Sequence, residues 1–253
     1  LSSYNLFDKT INNEIILPNE KGEEEVFELI PVPLFSKSLV LKYPNIKTYK
    51  GFSKNRPEVK VRITITPDWI SAWLQFENKP DFFIQPVKGE KRLHFSYQKT
   101  NINLSNPLVC KTKTKLSMKH KSSTLSKNNY SIEQLQTFRI AIAATGEYTS
   151  FWGDDDISNG SNSEDALAYV ASTLNRVNDI FERDLNIRLE LISDSNLLYE
   201  DPETDPFTGN FGSELQQTLD SFIGEEAYDL GHLFDYGEPN GDAGCIGCVC
   251  VSD

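Results

Sequence analysis

The sequence lacks the long apolar runs of membrane proteins and has few methionines. No window of 18 residues is uninterruptedly apolar, so the sequence predicts no transmembrane helix. Met118 is the only methionine among 253 residues, and the chain begins with Leu1. We therefore expect the native N-terminus, with any secretion signal, to have been removed or to precede this sequence.

Histidine is scarce, which limits the metal sites that the chain can build. The three histidines are His94, His120 and His232, and none has another histidine four residues away. This spacing excludes a pair of histidine ligands on one face of a helix. His120 lies in a lysine-rich segment, where we expect its side chain to be solvated.

The four cysteines do not settle the redox compartment. Cys245, Cys248 and Cys250 lie within six residues, so they cannot all pair with one another. At least one needs Cys110, a residue after Asp253, or a metal. A zinc site at the C-x2-C spacing stays open as an alternative, although the surrounding run is apolar and strand-like.

Charge divides the chain into two parts of opposite sign. Residues 1–136 hold 21 Lys+Arg against 13 Asp+Glu, a net +8, whereas residues 137–253 hold 4 against 24, a net −20. We interpret the two parts as separate domains that attract each other. Two independently solvated surfaces are the alternative. The overall acidic balance argues against a nucleic-acid-binding protein.

Residues 1–109 have the pattern of a β-rich domain. Apolar and charged residues alternate from Val59 to Ile65, which predicts a half-buried strand. Further strands are predicted at 15–17, 26–34, 71–76, 81–85 and 92–97. We expect most aromatic residues of this part to lie in a core or an interface. They are Trp69, Trp73, Phe82, Phe83, Phe95 and Tyr97.

Residues 110–136 have the composition of a linker. Six lysines and no acidic residue lie between Lys111 and Lys127, among many serines and threonines. No apolar period is present, which is typical of an exposed segment open to proteolysis. We interpret it as a processing segment.

Residues 137–253 predict an α/β arrangement. The strand Phe138–Ala144 is followed by an acidic loop and a helix capped near Ser163. Apolar residues follow in that helix at spacings of three and four, namely Leu167, Val170, Leu174, Val177 and Ile180. A strand at 187–192, a helix near 214–222 and a final apolar stretch complete the pattern, so the fold class of the whole chain is α+β.

Three stretches resemble one protease family. Leu39–Gly51 contains KYPxIxTYxG, Arg176–Ile187 contains RVNxIFERDLxI, and the last 26 residues contain YDLGH, a loop and GxAGxxxxVC. Together they resemble reprolysin-like (adamalysin-type) metzincin zinc metalloproteases, specifically bacterial proenzymes with a long propeptide. The resemblance covers nearly the whole chain. The family's zinc motif HExxHxxGxxH is absent from the sequence, and we expect it after Asp253.

The resemblance implies a domain organisation and a substrate site. It implies an inhibitory β-rich propeptide at 1–109, the linker at 110–136, and the N-terminal portion of the catalytic domain at 137–253. The run Ala243–Cys250 corresponds to the edge strand that borders the cleft, with substrate lying antiparallel along it. The substrate-binding candidates are Ala243, Gly244, Cys245, Ile246 and Gly247. Cys245 and Cys248 depart from the family pattern, whereas the cysteine matching Cys250 forms a disulfide in the family.

Cys110 is the metal-ligand candidate. It lies between the β-rich domain and the linker, and a propeptide thiolate on the open position of a catalytic zinc would keep the enzyme latent. Lys111 and Lys113 would favour the thiolate. A disulfide or an inert thiol is the alternative. No catalytic residue is predicted within the chain.

Two other ligand questions follow from the resemblance. Calcium is considered because relatives often bind it, with acidic residues near Glu147 or at 200–205 as candidate ligands, although a solvated acidic face is favoured. The DxGH context of His232 is structural in the family.

Two functions are compatible with these patterns. The first is a secreted zinc metalloendopeptidase proenzyme that acts on protein or peptide substrates, with its own propeptide as an inhibitory partner. The second is a non-catalytic, metzincin-derived binding or adhesion module, or an inhibitory propeptide unit. The zinc motif distinguishes them.

Overall fold

The structure, a computed structural model, describes residues 13–101, 109–110, 134–237, 240–241 and 243. It contains two main sheets together with helices, which confirms the predicted α+β class. Of Asn13, Val109, Cys110 and Asn240 only the backbone is described. No helix in these ranges is long and apolar enough to cross a bilayer.

The first sheet is a seven-stranded antiparallel meander. Its strands, which pair in chain order, are β1 (Asn13–Pro18), β2 (Glu24–Pro31), β3 (Lys47–Ser53), β4 (Lys60–Ile65), β5 (Ile70–Gln75), β6 (Phe82–Pro86) and β7 (His94–Gln98). One face buries Phe27, Ile63 and Leu74 completely. Every residue of this core cluster comes from the sheet and its own turns, so the meander buries this face against itself.

Strand β4 is buried on both faces, which differs from the half-buried strand that its alternation predicts. Residues 61–65 are all buried. The face that carries Arg62 and Thr64 contacts a long helix of the C-terminal part, where Asn175 hydrogen-bonds to both residues. Arg62 and Thr64 therefore face another layer of protein instead of water, whereas Lys60 is exposed.

The second sheet has three parallel strands. They are β9 (Gln136–Ala144) in the centre, β10 (Ile187–Leu191) on one side and β11 (Leu230–Phe234) on the other. The α-helices in the part of the chain that the structure describes are α1 (Lys37–Lys42), α2 (Gly146–Trp152), α3 (Asn162–Leu185) and α4 (Phe211–Phe222). Two short strands, β8 (Val109–Cys110) and β12 (Asn240–Gly241), form a separate parallel pair.

Helix α3 begins at a capping box whose N-cap, Ser161, lies two residues before the predicted cap at Ser163. The Ser161 side chain accepts a hydrogen bond from the Glu164 backbone, and the Glu164 side chain accepts one from the Ser161 backbone. The helix ends at Asn186 in the left-handed conformation (φ 56°). Leu167, Val170 and Leu174 are buried as predicted, whereas Ile180 is exposed.

Helices α1 and α2 are not predicted by the sequence pattern. Each is too short to show a helical period, with six and seven residues. The first turn of α2 lies against the loop at Asp201 and Pro202. A Cβ on Gly146 would lie 2.2 Å from the Pro202 nitrogen, so this close approach requires glycine.

Candidate functional site

The pairing of β8 with β12 brings Cys110 to the region expected to border the substrate cleft. Val109 pairs with Asn240, and Cys110 pairs with Gly241, in parallel register. Gly241 lies two residues before Ala243, where the expected edge strand begins. The backbone of the N-terminal part therefore lies alongside the chain that leads into that strand.

The predicted substrate-binding residues are only partly covered by the structure. Ala243 is described and is exposed. Gly244, Cys245, Ile246 and Gly247 lie outside the described residues, as do Cys248 and Cys250. Their role at a substrate site stays a prediction.

Polar contacts at both ends of β11 attach this strand to β9. The Thr145 hydroxyl donates to the Asp235 carboxylate at 2.9 Å and joins the ends of β9 and β11. At the other end of β11, Asp229 accepts bonds from the backbone nitrogen (2.6 Å), Nε (3.1 Å) and Nη2 (2.7 Å) of Arg139. The hydrogen bond from Arg139 holds the pKa of the Asp229 carboxyl below its usual value. The aspartate of the DxGH context therefore has a structural role.

Neither described histidine has a metal-site arrangement. His232 is exposed on β11, and its ring packs edge-on against Phe234 at 4.8 Å. His94 accepts a hydrogen bond at Nε2 from the Ile70 backbone at 3.0 Å, which fixes the end of β5. His120 lies outside the described residues.

The acidic residues considered for calcium serve as hydrogen-bond acceptors for the backbone. Asp205 accepts from the Gly146 nitrogen at 2.7 Å, and Glu200 accepts from the Ser163 nitrogen at 3.0 Å, both at the start of a helix. Glu147 is exposed. Across the described ranges, no group of three or more His, Cys, Asp or Glu side chains is placed to hold a metal ion.

A second acidic cluster lies where the two parts of the chain meet. Asp165 accepts from the Asp154 backbone at 3.3 Å, and Asn159 donates to both Asp154 (3.0 Å) and Asp68 (3.1 Å). Burial, together with the charges of Asp154 and Asp68, raises the pKa of Asp165 to about 7. Asp68 comes from the first sheet, so this cluster contains groups from both parts.

Arg62 is the most deeply buried charge between the two parts. Its side chain is 1% exposed, and its Nε donates to the carbonyl oxygen (3.0 Å) and Oδ1 (2.8 Å) of Asn175 on α3. The Asn175 amide donates back to the Ile63 carbonyl at 3.0 Å. Asp179 and Glu182 lie 3.5 and 3.4 Å from its terminal nitrogens. Sequence reasoning missed this contact because a lone arginine in an alternating strand gives no sign of its partner.

The aromatic residues of the first sheet occupy three kinds of position: the core of the sheet, a row of stacked rings along it, and the contact with α3. Trp73 and Phe82 are buried, Phe95 is 49% exposed, and the others are intermediate. Trp69 stacks on Tyr169 of α3 at 4.7 Å, and Tyr169 stacks on Trp152 of α2 at 4.0 Å. The stack of Trp69 on Tyr169 joins the two parts, so the prediction of a core or interface position is confirmed for Trp69, Trp73 and Phe82.

One comparison with known proteins identifies a family. Residues 135–253 match the family model described as metallo-peptidase family M12B, reprolysin-like. The matched region begins at the loop before β9 and includes the second sheet and helices α2 to α4. No curated protein matches the chain significantly.

Proposed function

Because residues 135–253 match the reprolysin-like metallopeptidases of family M12B, we propose that the chain is the proenzyme portion of a secreted zinc metalloendopeptidase. Residues 1–109 are the inhibitory propeptide, residues 110–136 are the processing linker, and residues 137–253 are the first portion of the catalytic domain. The complete enzyme hydrolyses peptide bonds in protein or peptide substrates.

Zinc enters this proposal through the family, whose members are zinc-dependent in general. The described residues do not fit a zinc site, since no three potential ligands converge among them. The sequence also lacks the HExxHxxGxxH motif. We therefore assign no catalytic step to any residue of this chain and confine the proposal to how the N-terminal part acts on the cleft.

The observation that carries the proposal is the direction of β8. Val109–Cys110 runs parallel to Asn240–Gly241, whereas a substrate is expected to run antiparallel to the edge strand that follows. A segment that lies in the reversed direction covers the border of the cleft without presenting its peptide bonds as a substrate would. This arrangement supports a latent form held by the segment around Cys110.

Cys110 is proposed as the zinc ligand of the latent form. Its backbone lies opposite Gly241 in the register, and the sequence places Lys111 and Lys113 next to it. Nearby positive charge favours the thiolate, which is the metal-binding form of cysteine. The segment and its thiol would then leave the cleft together when the linker is cut.

The test uses the complete gene product and three variants of it. Cys110→Ser removes the thiol but keeps the size of the side chain, whereas Cys248→Ser is the matched cysteine control. We expect peptidase activity of the uncut Cys110→Ser protein to be at least about tenfold above that of the uncut wild type, because a hydroxyl is a much weaker zinc ligand. A double variant shows whether Cys248 contributes. A zinc chelator should abolish the activity, and added zinc should restore it.

Three outcomes separate the alternatives. If only linker cleavage raises activity and Cys110→Ser does not, the metallopeptidase stands and the thiol is not the inhibitory group. If Cys248→Ser activates as strongly as Cys110→Ser, the effect is not specific to Cys110. If no form cleaves peptides in the presence of zinc, the peptidase proposal fails and the binding, adhesion or inhibitory module is favoured.

A further inference from the structure

The N-terminal part also extends the second sheet, which belongs to residues 135–253. Those residues are called the peptidase part below. The Leu191 nitrogen, at the end of β10, donates to the Leu34 carbonyl at 2.8 Å, and the Leu191 carbonyl accepts from the Ser36 nitrogen at 2.9 Å. Phe35 thus forms a parallel bridge with Leu191. Residues 34–36 lie along the edge of β10 opposite β9 and satisfy backbone groups that would otherwise be unpaired.

The same segment belongs to the hydrophobic core of the peptidase part. Leu34, Phe35, Leu39 and Tyr43 are all buried, and they share one cluster with side chains of β9, β10 and α3. Without them, the apolar face formed by those elements would be exposed to water.

Polar contacts continue this attachment beyond the core. The Tyr43 hydroxyl donates to the Ser195 hydroxyl at 3.0 Å and accepts from the Ser195 nitrogen at 3.2 Å, and Lys42 pairs with Asp194 at 2.7 Å. Arg62 extends the interface to the outer face of α3. The N-terminal part therefore contacts both the edge of the sheet and the helix that covers it.

We propose that the N-terminal part is a permanent subunit of the peptidase, which stays bound by residues 34–43 and Arg62 after the linker at 110–136 is cut on the C-terminal side of Cys110. Cleavage then frees only the segment that ends at Cys110, while the seven-stranded meander remains on α3. The inference rests on the proposed proenzyme role for the occurrence of cleavage. The test of this inference measures binding between the cut pieces, whereas the test of the peptidase proposal measures activity. Either proposal can therefore fail while the other stands.

The test introduces a site for a sequence-specific protease between residues 115 and 130 of the 253-residue chain. After complete cleavage, we expect the two pieces to elute together in size-exclusion chromatography at micromolar concentration. Elution as two separate pieces, each still folded by circular dichroism, would overturn the inference. The two pieces can also be separated in denaturant and the C-terminal piece refolded without the N-terminal piece. Aggregation of that piece would support the inference, because its core would be exposed.

A matched pair of proline variants tests the strand contact itself. Ser36→Pro removes the nitrogen–hydrogen group that donates to the buried Leu191 carbonyl, and the φ of −56° at Ser36 already suits proline. Lys37→Pro places the same residue one position later, at the first helical position of α1, where proline is tolerated. We expect the dissociation constant of the cut pieces to rise at least about tenfold for Ser36→Pro relative to Lys37→Pro.

A second pair tests the attachment to α3 without touching the strand contact. Arg62→Met retains a long side chain with an apolar stem but removes the guanidinium. Asn175, Asp179 and Glu182 then lose the group that they contact. Lys60→Met makes the same change at an exposed position of the same strand. We expect Arg62→Met to weaken binding at least about thirtyfold more than Lys60→Met. Equal dissociation constants within both pairs would show that the pieces are held elsewhere and would overturn the assignment.

Discussion

Two buried polar residues illustrate how much of the interface depends on single side chains. Arg62 donates from Nε to the carbonyl oxygen and Oδ1 of Asn175, and the Asn175 amide donates to the Ile63 carbonyl of the same strand. A buried charge without a partner costs several kcal/mol, and the Arg62 guanidinium is paired with the carboxylates of Asp179 (3.5 Å) and Glu182 (3.4 Å). The pair therefore fixes the position of β4 on α3 more strictly than apolar contacts alone would.

Asp165 makes the stability of the protein depend on pH. Burial and the charges of Asp154 and Asp68 raise the pKa of its carboxyl from 3.8 to about 7 in the folded state. Because the folded-state pKa is the higher one, the contribution of Asp165 to stability is complete below about pH 4 and is lost as the pH rises to about 7. Near pH 8 we expect Asp165→Asn to raise the free energy of unfolding by about 1–2 kcal/mol relative to wild type, after allowance for partial exposure. The variant should therefore unfold at a higher temperature.

The check is thermal unfolding of wild type and Asp165→Asn between about pH 4 and pH 8, with the exposed Glu58→Gln as the control for a lost charge. The gap between Asp165→Asn and wild type should widen as the pH rises and become constant above about pH 7. A gap that is the same at every pH would mean that Asp165 ionises normally in the folded protein.

At the scale of elements, the sequence pattern predicts long, periodic segments well and short ones poorly. Six of the seven strands of the meander and helix α3 have clear apolar periods, and their predicted positions agree with the structure within a few residues. Strand β3 is the exception and was not predicted. Helices α1 and α2 have no such period because one or two turns cannot display it. The bridge between Phe35 and Leu191 joins residues from opposite parts of the chain, and no local pattern encodes that partnership.

The candidate site shows the same limit. Cys110 was selected from its position between a β-rich domain and a lysine-rich segment, and the register now places its backbone beside Gly241. The contacts of Arg62 and Tyr43 with the peptidase part were not predicted, since they depend on how two layers pack. Burial of a charged or phenolic side chain follows from tertiary structure, which the alternation of residues along one strand does not contain.

The start of α3 offers a test that separates the structure from the sequence-based expectation. Sequence pattern suggested Ser163 as the cap, whereas the structure has Ser161 in a capping box with Glu164. We expect Ser161→Ala to destabilise the protein by about 1 kcal/mol, because the Glu164 nitrogen loses its acceptor. Ser163→Ala is the matched control and should cost less than half of that.

Thermal unfolding at constant pH measures both variants, and about 1 kcal/mol corresponds to a shift of roughly 2–4 °C for a protein of this size. A larger loss for Ser163→Ala than for Ser161→Ala would place the cap where the sequence pattern suggests. Glu164→Gln keeps a side-chain acceptor for the Ser161 nitrogen, so we expect it to retain most of the stability.

At the scale of the whole molecule, the structure joins two parts of opposite charge through a continuous set of contacts. Ion pairs cross the junction between Lys42 and Asp194 (2.7 Å) and between Lys91 and Asp156 (2.6 Å). These pairs are partly exposed and contribute little individually. The shared apolar cluster, the bridge between Phe35 and Leu191 and the buried Arg62 carry most of the attachment, so the charge asymmetry alone does not explain it.

This attachment predicts that both sheets unfold together. The chain has three tryptophans, of which Trp73 reports on the meander and Trp152 reports on the peptidase part. Two variants that each keep one of these tryptophans, with the other two changed to phenylalanine, give separate fluorescence signals. We expect the two urea midpoints to coincide, because unfolding of the N-terminal part would remove Leu34, Phe35 and Tyr43 from the core of the peptidase part, and unfolding of the peptidase part would expose the buried face of β4. Arg62→Met should shift both midpoints together, whereas an earlier midpoint for Trp73 alone would show that the meander folds and unfolds as an independent domain.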